Sequence, residues 1–167
     1  EYWRPCAGSK TVDLTGEYQS IVGEFKRKNK SDPRTIVSSS MGAVGGVQIK
    51  QQHRICIDDI ILEKIDAPKV DETESDVNLI KNADFSEGDN GLSNWEGGIM
   101  GDAVGTQTVD KGVITYELSD VGTADWNVQL KQTGLALENG KTYEASITLK
   151  STEARTVLLN FMSNTYK

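Results

Sequence analysis

Lys141-Thr142-Tyr143-Glu144-Ala145-Ser146-Ile147-Thr148-Leu149 alternates without a fault. Side chains of an extended chain point to opposite faces with period two. Tyr143, Ala145, Ile147 and Leu149 therefore line one face, and Thr142, Glu144, Ser146 and Thr148 the other. The stretch predicts a half-buried strand with one wet face. Asn139-Gly140 just before it is a dipeptide of the kind that closes β-hairpins.

Working outward, Val113-Ile114-Thr115-Tyr116-Glu117-Leu118 is a second strand, bounded by Gly112 and by Ser119-Asp120. Further strands are predicted at 11–14, 18–26, 34–39, 46–50, 54–62, 78–81, 126–132 and 156–162. Helical periodicity is nearly absent. About ten short antiparallel strands with frequent turns predict an all-β fold, a β-sandwich of the jelly-roll kind.

The chain has 167 residues, the size of one ordinary domain, and 37% are hydrophobic, enough for one core. Its net charge is −7. Phosphate recognition needs a basic surface, so neither nucleic acid nor an anionic membrane is an expected partner, whereas a neutral ligand is compatible. No apolar run approaches the roughly 18–20 residues of a membrane span. Glu1-Tyr2-Trp3-Arg4 is not a charged-then-apolar leader, so a mature form or a fragment of something larger is expected. Cys6 and Cys56 fit no zinc spacing. Either they form one bridge or one is a buried small residue and the other a loop residue.

Ala67-Pro68-Lys69-Val70-Asp71-Glu72-Thr73-Glu74-Ser75 is polar and acidic and reads as a linker. The pieces on either side would each be marginal alone, so a single core built from both is expected.

Several motifs on the two sides of this linker form two ordered sets. On the far side they are Asn78-Leu79-Ile80-Lys81-Asn82-Ala83-Asp84-Phe85, Gly91-Leu92-Ser93-Asn94-Trp95, Asp125-Trp126-Asn127-Val128-Gln129-Leu130 and Leu137-Glu138-Asn139-Gly140-Lys141-Thr142-Tyr143. These resemble the N-terminal part of the family 4 carbohydrate-binding modules, in the wider group with families 9, 16 and 22. Leu14-Thr15-Gly16-Glu17-Tyr18-Gln19, Phe25 and Ile55-Cys56-Ile57-Asp58-Asp59-Ile60-Ile61-Leu62 resemble its C-terminal part. The resemblance implies a circular permutation: 1–66 is the family's C-terminal half, 67–75 the linker, and 76–167 the N-terminal half. A monomer is expected, with a domain-swapped dimer as the alternative.

The family likeness implies a secreted, non-catalytic module that holds single polysaccharide chains in a cleft for an attached glycoside hydrolase. The expected ligand is a β-glucan, either β-1,4 or mixed-linkage, with β-1,3-glucan and xylan behind. Flat aromatic rings suit pyranose faces, and polar side chains suit hydroxyls. Trp126 matches the family's stacking tryptophan, with a core tryptophan as the alternative. Gln129 matches a polar cleft residue, and Gln132 and Ser40 are weaker candidates. Tyr166 matches a second aromatic platform and Arg4 its polar partner, with Trp3 and Tyr2 beside them. Trp95, Phe85, Tyr18, Phe25, Phe161 and Tyr143 are expected in the core.

Two adjacent acids in the apolar run Ile57-Asp58-Asp59-Ile60 need a reason, because an unpaired buried carboxylate is costly. The resemblance implies that Asp58 helps hold a structural calcium, with Asp84, Asp110 and Ser86 as further donors; the alternative is a turn cap. His53, the only histidine, lies in a polar stretch and is expected in a loop. The competing functions are a glycoside hydrolase, which needs two carboxylates across a cleft, and a structural or protein-interaction sandwich without a sugar site.

Overall fold

The structure, a computed structural model, describes residues 5–14, 16–26, 35–65 and 77–163. Among these there is no α-helix. Ten strands carry the fold: β1 (Pro5–Leu14), β2 (Gln19–Lys26), β3 (Thr35–Ser40), β4 (His53–Lys64), β5 (Glu96–Ile99), β6 (Val104–Asp110), β7 (Val113–Asp120), β8 (Val128–Leu135), β9 (Thr142–Ser151) and β10 (Arg155–Ser163). They form two antiparallel five-stranded sheets, β1-β10-β3-β8-β5 and β2-β9-β4-β7-β6. This is the expected β-sandwich.

The core lies between the sheets, where the alternation of each strand places it. On β9, Tyr143, Ala145, Ile147 and Leu149 are all buried. They meet Ile55, Ile57, Ile60 and Leu62 of β4, and across the sandwich Val37, Val128, Leu130, Val157 and Leu159. Each large aliphatic taken out of water stabilises the fold by roughly 1.5–3 kcal/mol before entropy is counted. Tyr143 also stacks on Phe25 at 5.7 Å and keeps its hydroxyl paired, accepting from Glu138 N at 2.7 Å.

Among the described residues, the strands from before the linker, β1 to β4, make no ladder with one another. Each pairs only with strands that follow the linker: β1 with β10, β2 with β9, β3 with β10 and β8, β4 with β7 and β9. The chain re-enters against the end of β4. Asn78 Nδ2 donates to Ile60 O, its Oδ1 accepts from Leu62 N, and Leu79 N donates to Leu62 O.

Four expectations need correction. Residues 46–50 are not a strand; Val44–Gly46 is a 3-10 turn, and beyond it Ile49 contributes one backbone bond, from Val121 N, instead of a ladder. Residues 78–81 are not a strand either, because the Asn78 carboxamide competes for the local backbone, Oδ1 accepting from Ile80 N. Asn139-Gly140 turns the chain between β8 and β9, which lie in opposite sheets, so it closes no hairpin; Lys111-Gly112 between β6 and β7 does. Tyr18 is not core but half-exposed, with Lys150 Nζ 4.3 Å above its ring.

Two strands were not foreseen. β5 carries Gly97-Gly98, which reads as a turn, yet a Cβ at Gly97 would collide with the carbonyl of Gln129. Glycine is what lets β5 come close enough to pair with β8. β6 is an edge strand, wet along most of its length, so it shows no apolar face.

Candidate functional site

The outer face of the β1-β10-β3-β8-β5 sheet differs from an ordinary wet sheet face. Register places Gly98, Gln129, Ser40 and Leu158 in one row across four strands, and Glu96, Lys131, Ser38 and Asn160 in the next. Small residues stand in the middle of both rows. Ser38 and Ser40 are consequently buried although they point away from the core, and larger neighbours stand on either side. The result is a recessed polar floor. Gln129 Nε2 donates to Ser40 Oγ at 3.3 Å. Ser38 Oγ makes no hydrogen bond among the described residues. Lys131 Nζ lies 3.5 Å from Glu96 Oε2, and Thr133 Oγ1 donates to Glu96 Oε1 at 2.6 Å.

Trp126 sits where the chain enters β8, on the 3-10 turn Asp125–Asn127. It is 51% exposed, the expected bare indole and not a core residue. Its Cη2 lies 3.6 Å from where a Cβ on Gly101 would be. The turn is held from two sides. Gly42 N and Ala43 N donate to Asp125 O and Ala124 O, and Met41 N to Val128 O. On the other side Asn127 Oδ1 accepts from Thr123 N and Ala124 N, while its Nδ2 donates to Met100 O and its main-chain oxygen accepts from Met100 N at the strand end after β5.

The remaining binding candidates divide. Gln132 is not a cleft residue: it is buried, with Nε2 donating to Lys81 O and Oε1 accepting from Lys81 N, both at 2.8 Å. Tyr2, Trp3, Arg4 and Tyr166 lie outside the described residues. Ser38, Lys131 and Asn160 were not foreseen. Their signal was the period-two spacing from Ser40, Gln129 and Leu158, legible only once the register was known.

Backbone pairing carries two of the four calcium candidates, Asp110 and Asp58 (next to Ile57), to ladders with the same end of β7. Asp58 and Asp59 form a β-bulge, visible as the register shift between Ile57 and Ile60. The bulge explains the adjacent acids, because both turn away from the core while the isoleucines on either side stay buried. Ile57 pairs with Ile114 of β7, and Asp110 pairs with Val113 across the β6–β7 turn. A Cβ on Gly112 of that turn would lie 3.0 Å from Asp84 O. Asp84 Oδ1 accepts from Ser86 Oγ at 2.9 Å. Among the described residues no three His, Cys, Asp or Glu side chains are placed to hold a metal. A cation at this corner fits only with mixed donors: the carboxylates of Asp58 and Asp110, the main-chain oxygen of Asp84 and the hydroxyl of Ser86.

His53 is a correction. It is buried at the start of β4, not in a loop. Its Nδ1 faces Gln51 O at 2.8 Å, so Nδ1 carries the proton, and Nε2 accepts from Arg155 Nη1 at 2.9 Å. Arg155 Nη2 donates to Gly42 O at 3.1 Å. Burial lowers the Arg155 pKa to about 10. Burial first, and the guanidinium after it, hold His53 below its ordinary value. The pair is a buttress beneath the Gly42 segment, on which the Trp126 turn rests. Cys56 is a free, buried thiol, and the side chain of Cys6 lies outside the described residues.

The model of one protein family, described as a carbohydrate binding domain (CBM_4_9), matches residues 77–166, more than half of the chain. No curated protein and no solved structure shows a significant match.

Proposed function

Because the chain belongs to this family of carbohydrate-binding domains, we propose that it holds a single polysaccharide chain along the recessed sheet face beside Trp126 and does no chemistry on it. The observation that carries this reading is the bare indole on the turn that leads into β8, the strand that brings Gln129 against Ser40 of β3. An apolar ring that stacks on a pyranose contributes about 1–2 kcal/mol, and the floor offers hydroxyl-sized partners that cost little to desolvate. Two rings and several hydrogen bonds would reach roughly micromolar to millimolar affinity, about −4 to −8 kcal/mol.

The ligand is a β-glucan, β-1,4 or mixed-linkage, and the module is secreted and serves an attached glycoside hydrolase. The residues before β4's end stand for the family's C-terminal half in permuted order. The interleaving of β1–β4 with the later strands supports this. A second platform built from Tyr2, Trp3 and Tyr166, with Arg4 as its hydroxyl partner, belongs to the same reading.

Affinity electrophoresis through gels containing mixed-linkage β-glucan, hydroxyethylcellulose, β-1,3-glucan or xylan tests the reading. Retardation by the first two is expected, and Trp126→Ala should remove most of it. A protein retarded by none of these glycans, or one that releases reducing sugar from them, ends the proposal. Calcium at the Asp58 corner belongs to the same reading as a staple and not as part of the binding face. EDTA should lower the melting temperature and added calcium restore it; an unchanged melt removes the ion.

A further inference from the structure

We propose that Asn127 is the positioning residue of the binding face: its carboxamide fixes the turn that presents Trp126. The inference rests on the sugar-binding reading and goes beyond it, because Asn127 itself is buried and touches no ligand surface.

No hydrogen bond holds the Trp126 ring among the described residues, so its placement is decided by its backbone. That backbone is organised by one side chain. Asn127 Oδ1 accepts from Ala124 N at 2.6 Å and Thr123 N at 3.1 Å, and Nδ2 donates to Met100 O at 3.1 Å. The main chain of the same residue completes the tie: Met100 N donates to Asn127 O at 2.7 Å, and Asn127 N donates to Ala124 O at 3.2 Å. One residue thus joins the turn before β8 to the strand end after β5.

Only a carboxamide does this, since it needs an acceptor for two amides and a donor for a carbonyl within one planar group. Carboxylate lacks the donor, and a hydroxyl is too short to span both sides. The surroundings are cut to fit. A Cβ on Gly101 would collide with Nδ2, and one on Gly122 would lie 2.7 Å from Oδ1. Asp102 adds a lesser tie, Oδ1 accepting from Thr123 N at 3.2 Å. An aromatic platform binds well when its freedom is removed before the ligand arrives, because the ordering cost is then not charged to binding.

The test compares Asn127→Asp and Asn127→Ala with the unaltered chain for glycan retardation and melting, and repeats the fluorescence alone in a Trp3→Phe background, where a Trp126→Ala variant supplies the Trp95 signal to subtract. Three quantities are read: retardation on mixed-linkage β-glucan, the melting temperature, and time-resolved fluorescence anisotropy with acrylamide quenching far below the melt. The expected result is at least a tenfold loss of affinity in Asn127→Asp, with a faster-moving, more quenchable Trp126 in a protein that is still folded. Asn127→Ala should exceed it in both respects; if it fails to fold, Asn127→Asp alone decides. Unchanged affinity and ring mobility in Asn127→Asp, while Trp126→Ala abolishes binding, overturn the inference. Binding that survives Trp126→Ala sinks the sugar reading of that ring instead, and a mobile ring in Asn127→Asp would still support the positioning role.

Discussion

Two corners of this sandwich use the same device to opposite ends. At each, one buried asparagine gathers a loop and governs a neighbouring tryptophan. Asn82 Nδ2 donates to Gly91 O and Ser93 O, its Oδ1 accepts from Glu87 N, and its main-chain oxygen accepts from Trp95 Nε1 at 2.8 Å. Trp95 is drawn in and packs against Phe85 at 5.4 Å between ring centres. Asn127 gathers its loop with three side-chain bonds, yet Trp126 is left bare. The difference is what each indole meets. One finds a carbonyl for its N–H and a ring for its face; the other finds a glycine edge and solvent. A tryptophan's role therefore follows from its partners and not from its presence in a motif.

The sharpest way to break this comparison is to delete both rings in turn. Trp95→Ala should cost about 3 kcal/mol, the lower part of the range for a large aromatic because the ring is only partly buried. Trp126→Ala should change stability by no more than about 0.5 kcal/mol. Urea melts of the two variants check this, and equal losses would mean that Trp126 is a core residue after all.

Acid should separate the corners next. His53 is neutral in the fold and held below its ordinary value of 6.5. The unfolded chain takes up that proton first, so between the two pKa values it binds more protons than the native state. Stability from this group is present above about pH 6.5 and is lost as the pH falls through the window below it. Protonation sets a second cation against Arg155, which faces His53 from β10, while Glu153 nearby opposes the effect. The Trp126 turn rests on Gly42, which Arg155 holds. Trp126 should therefore become more quenchable before Trp95 as the pH is lowered from 7 to 5.5. His53→Gln should flatten the melting-temperature slope over that range; a slope identical to the unaltered chain's refutes the assignment.

The smallest effect lies far from both corners and serves as a control. Glu24, Glu144 and Glu63 are direct register partners on β2, β9 and β4. Like charges placed opposite one another cost a few tenths of a kcal/mol, so Glu144→Thr should raise stability by about 0.3–0.8 kcal/mol. Glycan affinity and both indole signals should stay as they were.

Much of the fold was legible because alternation reports burial directly. The faultless β9 run and Ile55–Leu62 both landed in the core, and the Asp58-Asp59 interruption marked a real bulge. What stayed hidden depends on close approach or on register. Gly97-Gly98 looks like a turn until the carbonyl it must pass is known. His53 sits among polar neighbours, and nothing local says that Arg155, a hundred residues away, will bury it. Trp126 could be named from sequence because a family motif marks it. Ser38 and Asn127 could not, since a serine under a groove and an asparagine beneath a turn look like any others until the strands are paired.

The pairing of β1–β4 exclusively with later strands has a mechanical corollary. A single backbone cut between Ile65 and Val77 leaves every described ladder whole, so the nicked protein should run as one particle whose fragments separate only in denaturant. Produced apart, the leading fragment keeps none of the described ladders and gains them only from its complement. Mixing the two is thus a templated reassembly, in which glycan capture would report that the halves have met.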